Sequence, residues 1–277
     1  MGQPGFFARV ATGYRWLTLL NARRTFALSY YQPALRQIRK WVFCNREFTN
    51  FTYDLTDLNK AQLIALAQVV TGLPLATLEG YLAEILGDDA LRQQVITATR
   101  ASELSYMAEE YCEFSRRIGW YLFVRALKPK TVIETGVDKG LGAVVLCAAL
   151  LKNQAEGSPG RYYGTDINPK AGYLLQAPYS GVGEILVGDS IESLKKFPDP
   201  IDFFVNDSDH SATYEYQEYV AIQDKLSAHA LILGDNSHVT DSLVRFSRET
   251  GRRFLFFKEY PKDHWYPGGG IGVSFVA

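Results

Sequence analysis

"TVIETGVDKGLGAVVLCAALLKN", residues 131–153, passes from a short β-branched apolar run through a glycine-rich turn into a helix-forming run. Apolar residues on both sides of the turn imply a buried strand followed by a buried helix. Glu134, Gly136 and Gly140 fall in an E-x-G-x-x-x-G spacing across that turn. Glycines there let a ligand approach the backbone, and the following helix N-terminus favours polar or anionic groups. The G-x-G-x-x-G spacing of a nicotinamide site is absent, and so is any Tyr-x-x-x-Lys dyad.

Downstream the same rhythm repeats. "RYYGTDIN" (161–168), "EILVGDS" (184–190), "IDFFVND" (201–207) and "ALILGDN" (230–236) read as strands. "PKAGYLLQAP" (169–178), "IESLKKF" (191–197) and "YEYQEYVAIQDKL" (214–226) read as helices between them. "RFLFFKEY" (253–260) and "IGVSFVA" (271–277), joined by a short connection, read as a closing antiparallel pair. Strand–helix alternation predicts an α/β fold: a doubly wound, mostly parallel seven-stranded sheet with an antiparallel last strand.

Upstream the pattern is helical. "LTDLNKAQLIALAQVV" (55–70) has Thr56 as an N-cap candidate and is stopped by Gly72 and Pro74. "LATLEGYLAEIL" (75–86), "DDALRQQVITATRASEL" (88–104) and "ELSYMAEEYCEFSRRIGWYLFVRAL" (103–127) follow at helical spacing. The expected division is a helical N-terminal extension over 1–100 and the α/β domain over 101–277.

The chain has 277 residues and a net charge of −1, unevenly placed. Residues 1–50 hold eight Arg and Lys (Arg9 to Arg46) against one acid, Glu47. Aromatic residues, among them Trp16, Phe26, Tyr30 and Trp41, interleave with these cations. The apolar runs are too short to span a bilayer. A segment like residues 1–30 either docks on the acidic remainder or a second copy of the chain, giving a homo-oligomer, or lies on an anionic membrane surface. Nucleic acid is not the expected partner. Three cysteines without a CxxC pair imply neither a disulfide framework nor a zinc site, which fits a reducing, cytoplasmic setting.

The glycine turn resembles the first motif of the Rossmann-like, S-adenosylmethionine-dependent methyltransferases. That resemblance implies a methyl-donor site made by Glu134, Gly136 and Gly140, by Asp166 and Ile167 at the end of the next strand, and by Asp189 and Ser190 at the end of the third. In that family the second-strand acid receives ribose hydroxyls and the third strand end contacts adenine.

The remaining strand ends carry further chemistry. "FFVNDSDHSATYEY" (203–216) sets Asn206, Asp207, Asp209 and His210 behind an apolar strand, and the next strand ends at Asp235 and Asn236. Two carboxylates and an amide form an oxygen-donor set suited to a hard cation such as Mg²⁺. The arrangement resembles the divalent-metal-dependent O-methyltransferases of the catechol and macrolide-sugar types, over roughly residues 118–277. By that resemblance Asp207, rather than Asp209, joins Asp235 and Asn236 as a metal ligand. His210 stands where the catechol enzymes have a lysine base, which points to a sugar or other aliphatic hydroxyl. His210 is therefore the candidate base, with His238 as the alternative. The expected activity is O-methylation of a small-molecule hydroxyl, Mg-assisted. The alternatives are a metal-independent methyltransferase whose acids only cap helices, or a non-catalytic module docking through the basic segment.

Overall fold

In a computed structural model, residues 6–44, 47–198 and 200–276 are described, with side chains from residue 13 onward. The chain divides into two compact units, residues 1–45 with 263–265, and 46–262 with 266–277. The first unit is built on α1 (Phe6–Cys44), one continuous helix of 39 residues. At the helical rise it is about 58 Å long. Within this unit the Trp41 ring meets His264 and Trp265 edge-on, at 5.7 and 5.8 Å. Arg46 and residues 1–5 of the basic segment lie outside the described residues.

The second unit opens with β1 (Asp54–Leu55) and three helices, α2 (Asp57–Thr71), α3 (Leu75–Leu86) and α4 (Asp89–Arg100). Thr56 caps α2 by accepting from the Asn59 amide, and Gly72 closes it in the left-handed conformation, as glycine does most readily. These helices belong to the same compact unit as the sheet.

The helix expected over 103–127 is in fact confined to α5 (Arg117–Leu127). Before it the chain leaves helical geometry: Ser115 takes a φ of 52°, and Arg116 turns inward to pair with Asp235. A buried charge pair decides the local path here, against the helical periodicity.

Then come β2 (Thr131–Thr135), α6 (Leu141–Ala155), β3 (Arg161–Asp166), β4 (Gly183–Val187), α7 (Ser190–Lys196) and β5 (Ile201–Asn206). They are followed by α8 (Ala212–Ile222), β6 (Leu226–Asp235), α9 (Ser242–Glu249), β7 (Arg253–Lys258), β8 (Pro261–Lys262) and β9 (Gly270–Phe275). The large sheet has the order β4-β3-β2-β5-β6-β9-β7. Pairs from β4 to β6 are parallel, and β9 runs antiparallel to both β6 and β7. The seven strands and the antiparallel last strand are as expected. Chain direction across the sheet reverses between β2 and β5, the place where open α/β sheets leave a ligand crevice.

Successive residues of each strand feed opposite faces, as strand geometry requires. Val132, Phe203, Leu231 and Leu233 join the core with α5 and α6, whereas Ile133, Phe204 and Ile232 join the core with Tyr219 of α8 and Phe246 of α9. This two-sided demand explains why the strands read as continuous apolar runs.

Two local expectations fail. Residues 169–178 form turns rather than a helix, because Pro169 and Pro178 bracket Gly172, whose φ is 74°. Gly172 also packs so closely on Ile185 that a Cβ would lie 1.8 Å from it. In addition, α9 was not read as a helix, although Leu243, Phe246 and Ser247 give it a buried face at i, i+3, i+4 spacing.

Candidate active site

Parallel strands β2 to β5 deliver their carboxyl ends to one edge, where a cleft of about 490 Å³ opens. Gly136, Thr165, Asp166, Ile167, Gly188, Asp189 and Ser190 line one side, and Asp207, Ser208 and Asp209 the other. Gly136 has a φ of 81°, and a Cβ there would sit 2.1 Å from the Asp207 carbonyl oxygen. Only glycine allows the ends of β2 and β5 to approach this closely. Gly188, with a φ of 146°, meets nothing within 4 Å, so a side chain there would project into open space.

The acids of this side bind backbone. Asp166 accepts from the Asp138 amide and the Asn168 amide, at 2.9 and 2.8 Å. Asp189 caps α7 by accepting from the Glu192 amide at 2.9 Å, while its second oxygen accepts from the Tyr214 hydroxyl at 3.0 Å. Ile167 is an apolar side chain held 77% exposed on the cleft wall, a surface suited to a flat ring. The Thr165 hydroxyl is buried and has no partner among the described residues.

Two expected donor-site residues lie elsewhere. Gly140 sits at the N-terminus of α6 with a φ of 96°, its Cα side against Gly172, where a Cβ would come within 2.9 Å. Glu134 is buried behind the cleft, accepting a hydrogen bond from the Tyr162 hydroxyl. Burial pushes its carboxyl up to about 8. Gly142 leaves it room, since a Cβ at that position would overlap its Oε1 at 2.1 Å.

Glu218 on α8 was missed by sequence reading. It is fully buried and accepts from the hydroxyls of Thr135 (3.2 Å) and Ser208 (2.7 Å), the hydroxyl of Ser190 and the amide of Asn206. One carboxylate thus ties together the ends of β2 and β5 and the start of α7. Burial raises it to about 7, against the pull of those donors. An acid facing a strand end from the middle of an otherwise amphipathic helix was the available signal.

On the far side, Asp207, His210 and Asp235 bring one ligand atom each within 4.8 Å of one another. His210 Nε2 is 3.9 Å from Asp207 Oδ1 and 3.3 Å from Asn236 Nδ2. Asn236 Nδ2 also donates to Asp235 Oδ2 at 2.9 Å. Asn236 has a φ of 55°, a left-handed backbone that asparagine tolerates better than most residues and that collects at functional sites. Asp209 turns away to bind Ser211 at the start of α8, at 2.9 and 3.1 Å. His238 stands beyond Asn236, its ring 6.5 Å from that of Phe256.

Arg116 dominates the electrostatics. Its guanidinium donates to both oxygens of Asp235 and to the Tyr53 hydroxyl oxygen, the latter at 2.9 Å, and lies 3.7 Å from Glu259. Burial would raise Asp235, but Arg116 overrides it and holds the carboxyl below its ordinary value. Asp207 goes the other way: burial, then the charge of Asp235, push it well above the carboxylate range. The guanidinium on Asp235 thus drives the two adjacent acids apart, Asp235 toward its charged form and Asp207 toward its neutral one.

The donor set suits a cation in its chemistry, since the carboxylates of Asp207 and Asp235 converge beside Asn236, with His210 at their edge. Ligation by Asn236 through its oxygen requires the amide to face the cluster the other way round, and the two orientations are nearly isosteric.

Residues 133–237 match the family described as "Methyltransferase domain". No curated protein matches the chain. Among solved structures, an O-methyltransferase from Bacillus cereus in complex with SAH is similar at a TM-score of 0.50 and 17% identity, covering 79% of this chain and all of that one. The O-methyltransferase TomG from Streptomyces achromogenes, in complex with SAM, gives 0.49 and 17% over 69% of this chain and 90% of its own. The family match runs from within β2 through the end of β6, with the glycine turn and all five parallel strand ends inside it. Over residues 133–237 the chain is therefore similar to a methyltransferase domain, on a Rossmann-like α/β fold.

Proposed function

We propose that the protein transfers a methyl group from S-adenosylmethionine to a hydroxyl of a small molecule. The observation that carries this reading is the meeting of a donor-sized cleft with the Asp207–His210–Asp235 cluster at one strand edge. S-adenosylmethionine would be held by Gly136, Asp166, Ile167, Asp189 and Ser190, and it supplies an electrophilic methyl on a sulfonium. Asp166 presents its remaining lone pairs to hydroxyl donors, and Ile167 offers an apolar face for a ring.

His210 is 36% exposed and stands at the border between cleft and cluster, so it can take the proton of an incoming hydroxyl. Asn236 orients the ring at Nε2, and with its amide oxygen turned toward Nε2–H the other ring nitrogen is left to take the proton. A divalent cation would be held by Asp207 and Asp235, with Asn236, and it supplies Lewis-acid polarisation of the acceptor. Most of the rate would then come from positioning by these side chains.

One observation favours a metal-independent version. Arg116 already satisfies both oxygens of Asp235 and supplies a fixed positive charge beside the acceptor position. The two versions part under chelation. With metal, a chelator abolishes turnover and Mg²⁺ restores it; without, turnover is unchanged.

The test of the shared core is His210→Ala, assayed with S-adenosylmethionine and a panel of hydroxylated acceptors. We expect kcat to fall by about 10²–10⁴-fold with donor affinity unchanged. A variant within a few-fold of wild type would make His210 structural and move the base to His238.

A further inference from the structure

We propose that α1 is an interfacial helix that lies on the surface of an anionic lipid bilayer. Between Phe6 and Cys44 the sequence has seven arginine and lysine residues and no acid. At 3.6 residues per turn, Trp16, Leu20, Tyr30, Tyr31, Leu35 and Ile38 share one broad face. Thr18, Asn21, Thr25, Ser29, Gln32 and Arg36 share the opposite one, together with Tyr14 and Phe43, so aromatic side chains are exposed on both sides. Side chains on this face are exposed: Trp16 is 56% exposed, Tyr30 81% and Tyr31 61%, with Phe26 flanking them at 80%. Arg23 and Arg24 fall within the apolar arc, where long stems can lie along it and carry their charges back to the headgroups.

A bilayer surface meets both demands of this helix, since it offers an apolar layer under a negative plane. A second α1 meets only one of them, because pairing would bring two acid-free helices of +7 together. The rest of the chain offers charge but little apolar counterpart. Its exposed large apolar residues, such as Leu58, Tyr106, Val187, Val220 and Phe256, stand on separate elements. No helix among the described residues is long and apolar enough to cross a membrane, so the helix is placed on the surface rather than through it.

The experiment is co-flotation of the full chain with phosphatidylcholine vesicles, with and without phosphatidylserine, at low and high salt. We expect at least about tenfold more bound protein on the anionic vesicles, lost as salt rises. Reversing Arg23→Glu, Arg24→Glu and Arg36→Glu together should remove the binding, and so should Trp16→Ser with Phe26→Ser and Tyr30→Ser. Both variants should keep the wild-type melting shift with S-adenosylmethionine, which shows the catalytic unit intact. Equal binding to neutral vesicles, or none to either, would overturn the proposal. So would a lipid-independent dimer that dissociates on charge reversal, which would make a second copy the occupant.

Discussion

The two halves of the strand edge solve opposite problems. On the proposed donor side, Asp166 and Asp189 are solvent-reaching acids whose oxygens accept from backbone amides, while Gly136 lets two strand ends close up and Gly188 faces open space. On the acceptor side, Asp207 and Asp235 are pressed together and need a buried arginine to coexist. Backbone amides are fixed by the fold, so a donor site built on them is cheap and local. Charges are not, and the acceptor site draws its counter-ion from a residue 119 positions away in sequence.

This contrast can be broken most forcefully at Arg116. Arg116→Met leaves the buried Asp235 and Glu259 without their cation, and removal of one partner of a buried pair costs about 3–5 kcal/mol. We expect a large drop in melting temperature, partly rescued by Asp235→Asn in the same chain. A variant that melts with wild type would mean the acceptor side does not depend on the guanidinium.

A smaller effect should appear behind the donor cleft, at Glu134. Its folded carboxyl sits at about 8 against an ordinary 4.5, so between those values the folded state holds a proton that the unfolded state has lost. Wild-type stability must therefore fall as pH rises through that window. Glu134→Gln has no proton to lose, and it should gain roughly 4 kcal/mol relative to wild type between pH 5 and pH 8.5. Parallel stability curves for the two proteins, followed by denaturant titration at each pH, would show that Glu134 is not buried as described.

The same contrast explains what could be read in the sequence. Sheet, strand ends and glycine turn were legible because each is local: an apolar run, a breaker and an acid within a few positions. Thr56 and Gly72 announced the ends of α2 for the same reason. Arg116 and Glu218 were not legible, because their roles exist only once distant segments meet. Arg116 even looked like part of a continuing helix, whose periodicity over 103–127 was overridden by its pull toward Asp235. Residues 169–178 misled in the reverse direction: their leucines suggest a helix, but Gly172 in a left-handed turn against Ile185 rules it out. Residues 6–44 were expected to be helical as part of the extension, but their continuity as one 39-residue helix was not legible, since arginines interrupt every apolar run.

The central claim is that methyl donor and acceptor chemistry occupy the two sides of this one edge. Calorimetric titration of S-adenosylmethionine into wild type, Asp166→Ala and Asp207→Asn tests it most directly. We expect Asp166→Ala to lose about 1.5–3 kcal/mol, the worth of one hydrogen bond to a charged group, or roughly ten- to hundredfold in affinity. Asp207→Asn should bind the donor as wild type does while losing turnover. Unchanged donor affinity in Asp166→Ala, or wild-type turnover in Asp207→Asn, would contradict the division of the site.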